Sequence, residues 1–177
     1  SDIEDVSSVT IGKENLQEIL DKIVADDSIS EAVVKLPEGS VSIGKDVLSS
    51  ILETTEESSI TIKVSDAKDE LNEKQKEAIG DRPVYDITML KGNEKITSFN
   101  GKTITVSLPY ELKENELPDN IVVYYVKDDG NTEKMNCVYK DGNVSFETSH
   151  LSYFAISYEV PEPIWYKIQN CGIRWEA

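Results

Sequence analysis

Short segments of alternating apolar and polar residues, separated by turn residues, fill the second half of this chain. Seven such segments span residues 84–90, 95–99, 103–109, 121–126, 132–139, 144–148 and 153–158. The links between them contain pairs that favour tight turns, such as Asn100-Gly101 and Asp141-Gly142. Alternation with a period of two predicts strands with one buried face, and Asn-Gly or Asp-Gly predicts hairpins. Short strands at this spacing predict an antiparallel β-sandwich.

The first half of the chain contains a repeated segment. Residues 8–20 return as residues 40–52, and eight of the thirteen positions are identical at an offset of 32. Each copy begins with a short β-branched alternation, passes a Gly-Lys turn and enters a helix with apolar residues at helical spacing. Each copy then leads into another strand, at residues 32–36 and 60–64. Two copies are too few for a solenoid, so we expect an internal duplication within one domain.

These patterns predict an α+β fold in which a duplicated strand-helix-strand N-terminal part packs with an antiparallel β-sandwich. We expect the N-terminal part at residues 1–82, where a charged segment with a short helix around residues 71–79 closes it. The sandwich part of the same domain is expected at residues 83–159. Residues 160–177 contain a Pro-x-Pro motif and are expected to form a linker or tail that packs along the domain edge.

The charge of the chain restricts its partners. The formal net charge is −16, and a surface this negative repels nucleic-acid phosphates and anionic lipid headgroups. We therefore expect no nucleic acid and no membrane among the partners. The sequence has no run of about eighteen apolar residues that could insert into a bilayer, so we expect a soluble protein.

The cysteines and acidic loops indicate no metal or other cofactor. Cys137 and Cys171 are far apart in the sequence, their pairing cannot be read from it, and we expect two unpaired thiols. His150 is the sole histidine, so a structural zinc site lacks ligands. The loops at residues 128–131 and 141–143 lack the ligand array of an EF-hand, and we expect simple turns there.

An ordered set of short motifs resembles a module of multidomain surface proteins in Gram-positive anaerobic bacteria. The motifs lie at residues 40–64, 80–87, 106–110, 119–126 and 148–156. Such modules often stand beside S-layer-homology or other wall-attachment domains. The resemblance implies a non-catalytic, extracellular structural or interaction module at the cell surface. Its expected partners are neighbouring domains of a larger protein and cell-wall or plant polysaccharide.

A second, narrower resemblance concerns His150-Leu151-Ser152, the one segment that suggests chemistry. It is similar to the self-cleavage segment of the GAIN domain of adhesion receptors and to the related domain of ankyrins and netrin receptors. That resemblance implies that His150 acts as base and that Ser152 attacks the carbonyl carbon of Leu151. We expect Phe146 and Phe154 to anchor the two arms of this turn in the core. The paired cysteines that often brace the adhesion-receptor version are missing before His150.

Two alternatives to self-cleavage remain open. In the first, the segment is a polar turn or strand crossing whose histidine only forms a hydrogen bond. In the second, Trp165 and Trp175 bind carbohydrate by stacking on sugar rings, which would make the chain a carbohydrate-binding module. A conventional enzyme is not expected, because no Gly-x-Ser-x-Gly elbow, metal cluster or phosphate loop occurs.

Overall fold

A computed structural model describes residues 8–53 and 59–160 of the chain. Within these residues there are twelve strands, three α-helices and a 3₁₀ helix at Pro118–Asn120. The strands are β1 (Ser8–Gly12), β2 (Glu31–Leu36), β3 (Gly39–Gly44), β4 (Ser59–Asp66), β5 (Val84–Lys91), β6 (Glu94–Ile96), β7 (Ile104–Pro109), β8 (Ile121–Val126), β9 (Thr132–Met135), β10 (Cys137–Lys140), β11 (Asn143–Thr148) and β12 (Tyr153–Tyr158). The helices are α1 (Lys13–Ala25), α2 (Lys45–Glu53) and α3 (Glu73–Ile79).

The strands form two antiparallel sheets, so the α+β class is confirmed. Sheet A has the order β1-β4-β5-β12-β8-β9, with β6 also paired to β5. Sheet B has the order β10-β11-β7-β3-β2. Apolar residues from both sheets belong to one buried cluster, an arrangement compatible with a β-sandwich.

The alternation of the sequence explains this shared core. In β4, Ile60, Ile62 and Val64 are almost fully buried, whereas the residues between them are partly exposed. Successive side chains of a strand point to opposite faces, so one face of β4 supplies the core. The same pattern holds in β7, where Ile104 and Val106 are buried.

The N-terminal part contributes strands to both sheets. Its strand β4 pairs with β5 in sheet A, and its strand β3 pairs with β7 in sheet B. Residues 8–66 and 84–158 therefore do not form separate layers, and the core runs through both. The expected boundary near residue 82 falls in the connection between two paired strands of one sheet.

Two predicted strands are shorter than expected because the chain changes sheet within them. The segment at residues 132–139 divides at Asn136 into β9 of sheet A and β10 of sheet B. The segment at residues 95–99 is a strand only to Ile96, after which the chain crosses towards sheet B. Alternation of apolar and polar residues predicts a strand, but it does not indicate in which sheet that strand finds its neighbouring strand.

The helices contribute apolar side chains to two buried clusters. Leu16 and Ile23 of α1 and Leu48 of α2 join the shared core. The helix α3 instead packs on the outer face of sheet A, in a second cluster formed by Leu71, Ile79, Val84, Val126 and Ala155. None of the helices in the described residues is long and apolar enough to cross a membrane.

Candidate functional site

The His150-Leu151-Ser152 segment lies where the chain passes from one sheet to the other. Residues 149–152, here called the β11–β12 crossover, connect β11 of sheet B to β12 of sheet A. Residues 97–103, here called the β6–β7 crossover, make the reverse passage from sheet A to sheet B. The segment is thus the strand crossing that one of the sequence interpretations describes.

Backbone hydrogen bonds hold the two crossovers side by side. Ser98 and His150 form an antiparallel bridge. On either side of it, Leu151 N donates to Thr97 O at 3.2 Å and Phe99 N donates to Ser149 O at 3.1 Å. Because each crossover satisfies backbone groups of the other, the position of His150 depends on both.

A buried hydroxyl stabilises the start of the β11–β12 crossover. The Oγ1 atom of Thr148 donates to the carbonyl oxygen of His150 at 2.6 Å and accepts from His150 N at 3.3 Å. Thr148 is 1% exposed, and a buried hydroxyl without partners would carry a desolvation cost. The two bonds therefore favour this one turn geometry.

The imidazole of His150 contacts Ser149 and Tyr125. Its Nδ1 atom lies 3.2 Å from Ser149 Oγ, and its ring centroid lies 4.5 Å from that of Tyr125 in a T-shaped arrangement. Nucleophilic attack by a serine requires a base within hydrogen-bond reach. Among the described residues, the serine hydroxyl at that distance from the imidazole belongs to Ser149 and not to Ser152.

The backbone around the expected scissile bond is anchored on both sides. Leu151 is buried in the shared core, and Ser152 O accepts a hydrogen bond from Ile87 N at 3.1 Å. The described non-glycine residues with positive φ are Asn100, Asn115 and Asp141, so the left-handed region, where backbone strain is stored, is not used at residues 149–152. The roles implied for His150, Leu151 and Ser152 remain predictions.

Beside the crossover lies an open cleft of about 700 Å³ at one end of sheet A. Its walls come from strands β5, β6, β8 and β12, the β8–β9 turn and the two crossovers. The lining residues are Asp86, Lys95, Thr97, Tyr125, Lys127, Asp128, Asp129, His150, Leu151, Ser152 and Tyr153. A concave site with a few convergent polar groups is the usual form of a binding site.

Charges of both signs line this cleft. Burial raises the pKa of Tyr153, and the nearby carboxylates of Asp86, Glu70 and Asp128 raise it further. Lys127 Nζ lies 5.9 Å from the centroid of the Tyr125 ring and 3.3 Å from Glu133 Oε2. The cleft therefore offers carboxylates around Tyr153 and an ion-paired lysine beside Tyr125.

One carboxylate of the cleft has a structural role in the β8–β9 turn. Asp129 accepts hydrogen bonds from the backbone and side-chain nitrogens of Asn131 at 2.9 and 2.7 Å, and these bonds lower the pKa of its carboxyl. Gly130 has φ of 86° and Gly142 has φ of 78°, so the two acidic loops are turns, as predicted. The described residues contain no cluster of three or more His, Cys, Asp or Glu side chains that could hold a metal ion.

The remaining predicted residues lie away from the cleft or outside the described part of the chain. Trp165, Trp175 and Cys171 belong to residues 161–177, which are outside the described residues. Cys137 is in β10, where its Sγ donates to Ile121 O at 3.3 Å and burial raises the pKa of the thiol. It forms no disulfide within the described residues.

Sequence reasoning missed most of the cleft. Tyr125, Lys95 and Asp86 come from three separate segments and carry no local motif, because only the pairing of β6 with β5, of β5 with β12 and of β12 with β8 brings them near His150. No protein-family model and no curated protein matches the chain, so the roles of the cleft residues are inferred from their geometry and chemistry.

Proposed function

We propose that this chain is a non-catalytic structural or interaction module of an extracellular bacterial surface protein. The observation that carries the proposal is where the surface-protein motifs lie in the fold. Residues 40–64 include α2 and most of β3 and β4, residues 119–126 include β8, and residues 148–156 include the β11–β12 crossover and the start of β12. The motifs therefore lie on framework strands of both sheets, which supports a likeness of the whole fold.

The direction of the strands favours an interaction role over a load-bearing one. In sheet A, β1 is antiparallel to β4, β4 to β5, and β5 to β12. The chain thus enters β1 and leaves β12 towards the same end of the sheet. A pull through these two strands would peel β1 from β4 one hydrogen bond at a time, so the arrangement suits a module presented to a partner.

The cleft beside the β11–β12 crossover is the proposed contact surface. It combines the side chains of Lys95 and Lys127 with carboxylates, hydroxyl groups and the rings of Tyr125 and Tyr153. Polysaccharides are recognised through hydroxyl hydrogen bonds and the apolar faces of sugar rings, and these side chains offer partners for both. A cell-wall polysaccharide or a neighbouring domain that carries such chemistry is the expected partner.

Co-sedimentation with isolated Gram-positive cell walls tests this proposal. We expect the wild-type protein to sediment with the walls and Lys95→Glu at the cleft to lower the bound fraction. Lys140→Glu is the matched control, since Lys140 is exposed at the end of β10 in the other sheet. A bound fraction that is absent, or equal in the three proteins, would contradict a role for the cleft.

We also infer that the N-terminal part arose by duplication. Strand β1 pairs with β4 and strand β2 pairs with β3, so each strand of one copy pairs with the opposite strand of the other. Val9 and Ile11 correspond to the buried Val41 and Ile43 at the same offset of 32. This exchange of strands is the pattern that two copies related by a two-fold axis would produce. Val41 and Ile62 of the second copy are buried, whereas the corresponding Val9 and Val34 of the first copy are partly exposed. We therefore expect Val41→Ala and Ile62→Ala to destabilise the protein more than Val9→Ala and Val34→Ala.

Self-processing at Leu151-Ser152 is the second candidate, and the placement of β12 favours it. Strand β12 begins directly after Ser152 and is paired with β5 on one side and β8 on the other. A chain cleaved before Ser152 would therefore keep β12 in sheet A, and its two fragments would stay assembled. In a reactive arrangement, the imidazole of His150 would have to exchange its contact with Ser149 for a contact with the hydroxyl of Ser152.

Intact mass under denaturing conditions separates the two candidates. The non-catalytic proposal predicts one intact mass after long incubation at neutral pH. Self-processing predicts two fragments whose boundary lies between Leu151 and Ser152. If these fragments form in the wild type and in Ser149→Ala but not in Ser152→Ala, the non-catalytic proposal is wrong and the self-processing candidate replaces it. Ser149→Ala is the matched control, because it removes the hydroxyl that contacts the imidazole and leaves the expected nucleophile in place.

A further inference from the structure

The β6–β7 crossover contains an exposed Asn-Gly turn, a sequence that can react with itself. Lys102 N donates to Phe99 O at 3.1 Å, and the two central residues, Asn100 and Gly101, have φ of 55° and 82°. Positive φ at both central positions defines a type I′ turn, for which Asn-Gly is the preferred pair. Asn100 is the one asparagine in the chain that is followed by glycine.

Glycine at position 101 leaves its backbone nitrogen open to approach. A Cβ atom built on Gly101 would meet no atom within 4 Å, and both Asn100 and Gly101 are exposed. The turn is closed by the N–H of Lys102, while Asn100 N donates to Ser98 Oγ at 3.4 Å. None of the hydrogen bonds of the described residues uses the N–H of Gly101, so its nitrogen is not engaged elsewhere in the fold.

We propose that Asn100 is a site of spontaneous modification through a cyclic imide. The Gly101 nitrogen loses its proton to hydroxide and attacks the side-chain Cγ of Asn100. A C–N bond forms, the C–N bond to the side-chain amide breaks, and the amide leaves as ammonia after taking up a proton. Water then opens the five-membered imide at either carbonyl, which yields aspartate or isoaspartate at position 100.

The isoaspartate product would act on the candidate site through Phe99. Isoaspartate carries the main chain through the side-chain carbon, so it adds one methylene to the backbone immediately after Phe99. Phe99 is 5% exposed in the shared core, and its N–H holds Ser149 O. A longer backbone at residue 100 cannot keep both the type I′ turn and these contacts unchanged. Modification therefore loosens the β11–β12 crossover that carries His150.

Peptide mapping after incubation at increasing pH tests the modification. We expect both aspartate and isoaspartate at residue 100, at a rate that rises in proportion to hydroxide concentration. Asn115 is the internal control, since it is exposed and has φ of 69° but is followed by Glu116. Asn100→Gln is the matched variant, because its longer side chain cannot close the same five-membered ring.

Each result of this mapping decides the proposal. Conversion at Asn100 before any product at Asn115 supports it. An unchanged Asn100, equal rates at the two asparagines, or aspartate without isoaspartate would overturn the imide pathway.

Hydrogen exchange tests the link to the crossover. In the separated isoaspartate form, we expect the amides of Phe99 and Leu151 to exchange faster than in the unmodified protein. Asn100→Asp is the control, because it adds the same negative charge without the extra methylene. Equal exchange in the isoaspartate form and in Asn100→Asp would refute the link to the crossover.

Discussion

The rings of Phe146 and Phe154 meet in the core with their centroids 4.9 Å apart and their planes inclined by 44°. Phe146 belongs to β11 of sheet B and Phe154 to β12 of sheet A, on the two sides of the β11–β12 crossover. Both side chains are almost completely buried, so the expectation that they anchor the two arms is confirmed. The contacts continue from Phe154 to Tyr125 at 5.7 Å and from Tyr125 to His150 at 4.5 Å. An aromatic row therefore connects the core to the cleft.

Replacement of Phe154 should remove the centre of this row. Phe154 is 0% exposed, and truncation of a buried phenylalanine to alanine costs about 3–5 kcal/mol because of lost transfer energy and the remaining cavity. We expect that loss for Phe154→Ala in urea denaturation. Val138→Ala is the control, since Val138 is 67% exposed and should change stability by no more than about 0.5 kcal/mol. Similar losses in the two variants would contradict the anchoring role.

Gly39 should be intolerant of any side chain. It has φ of 155°, and a Cβ atom would lie 2.8 Å from the backbone oxygen of Ser107 in the paired strand β7. Gly142 is the matched control, because it has φ of 78° but open space around its Cβ position. We expect Gly142→Ala to cost about 1–2 kcal/mol from its left-handed backbone alone and Gly39→Ala to cost more. A smaller loss for Gly39→Ala would show that β7 can move away.

Tyr110 should make stability fall at high pH. Burial and the hydrogen bond from its hydroxyl to Glu116 raise its pKa from 10.0 to about 12. The unfolded chain releases this proton near the lower value, while the folded protein retains it. Stability from this group is therefore complete below pH 10 and is lost as the pH rises towards about 12.

The variant Tyr110→Phe isolates this contribution. It keeps the ring and removes the titrating group, so the decrease in the free energy of unfolding between these pH values should be smaller than in the wild type. Equilibrium denaturation at a series of pH values measures the difference. An identical decrease in both proteins would assign the alkaline instability to other groups.

Asn72 should couple α3 to the wall of the cleft. Its side chain accepts from Gln75 N at 3.0 Å as the helix N-cap, and its Nδ2 donates to Asp128 O in the β8–β9 turn at 2.9 Å. Loss of such a cap typically costs about 0.5–2 kcal/mol, which we expect for Asn72→Ala. Asn72→Ser keeps a cap acceptor and loses the contact with Asp128.

Hydrogen exchange in the β8–β9 turn distinguishes these two roles of Asn72. We expect residues 127–131 to exchange faster in both variants, while Asn72→Ser keeps most of the stability. Unchanged exchange in Asn72→Ser would mean that the turn is held by other contacts, such as the close approach of Gly130 to Lys74.

Most strand positions follow from local sequence. Alternation in residues 153–158 predicts β12 with its observed bounds, and alternation in residues 144–148 predicts β11 except for its first residue, Asn143. Asp141-Gly142 predicts the turn before β11. These features depend on neighbours in the sequence, since side-chain period and positive φ are local properties. The buried residues of β4 and β7 are predictable for the same reason.

The position of each strand among its neighbours depends on the tertiary structure. Nothing in residues 132–139 indicates that the chain leaves sheet A at Asn136, because the alternation continues across the bend. The pairing of His150 with Ser98, its ring contact with Tyr125 and the approach of Asp86 to Tyr153 all join segments that are distant in the chain. The sequence alone therefore determines where the strands and turns lie and which residue types the crossover carries. Only the packing of the two sheets decides that His150 pairs with Ser98 and meets the Tyr125 ring, because those contacts arise from long-range pairing that has no local signal.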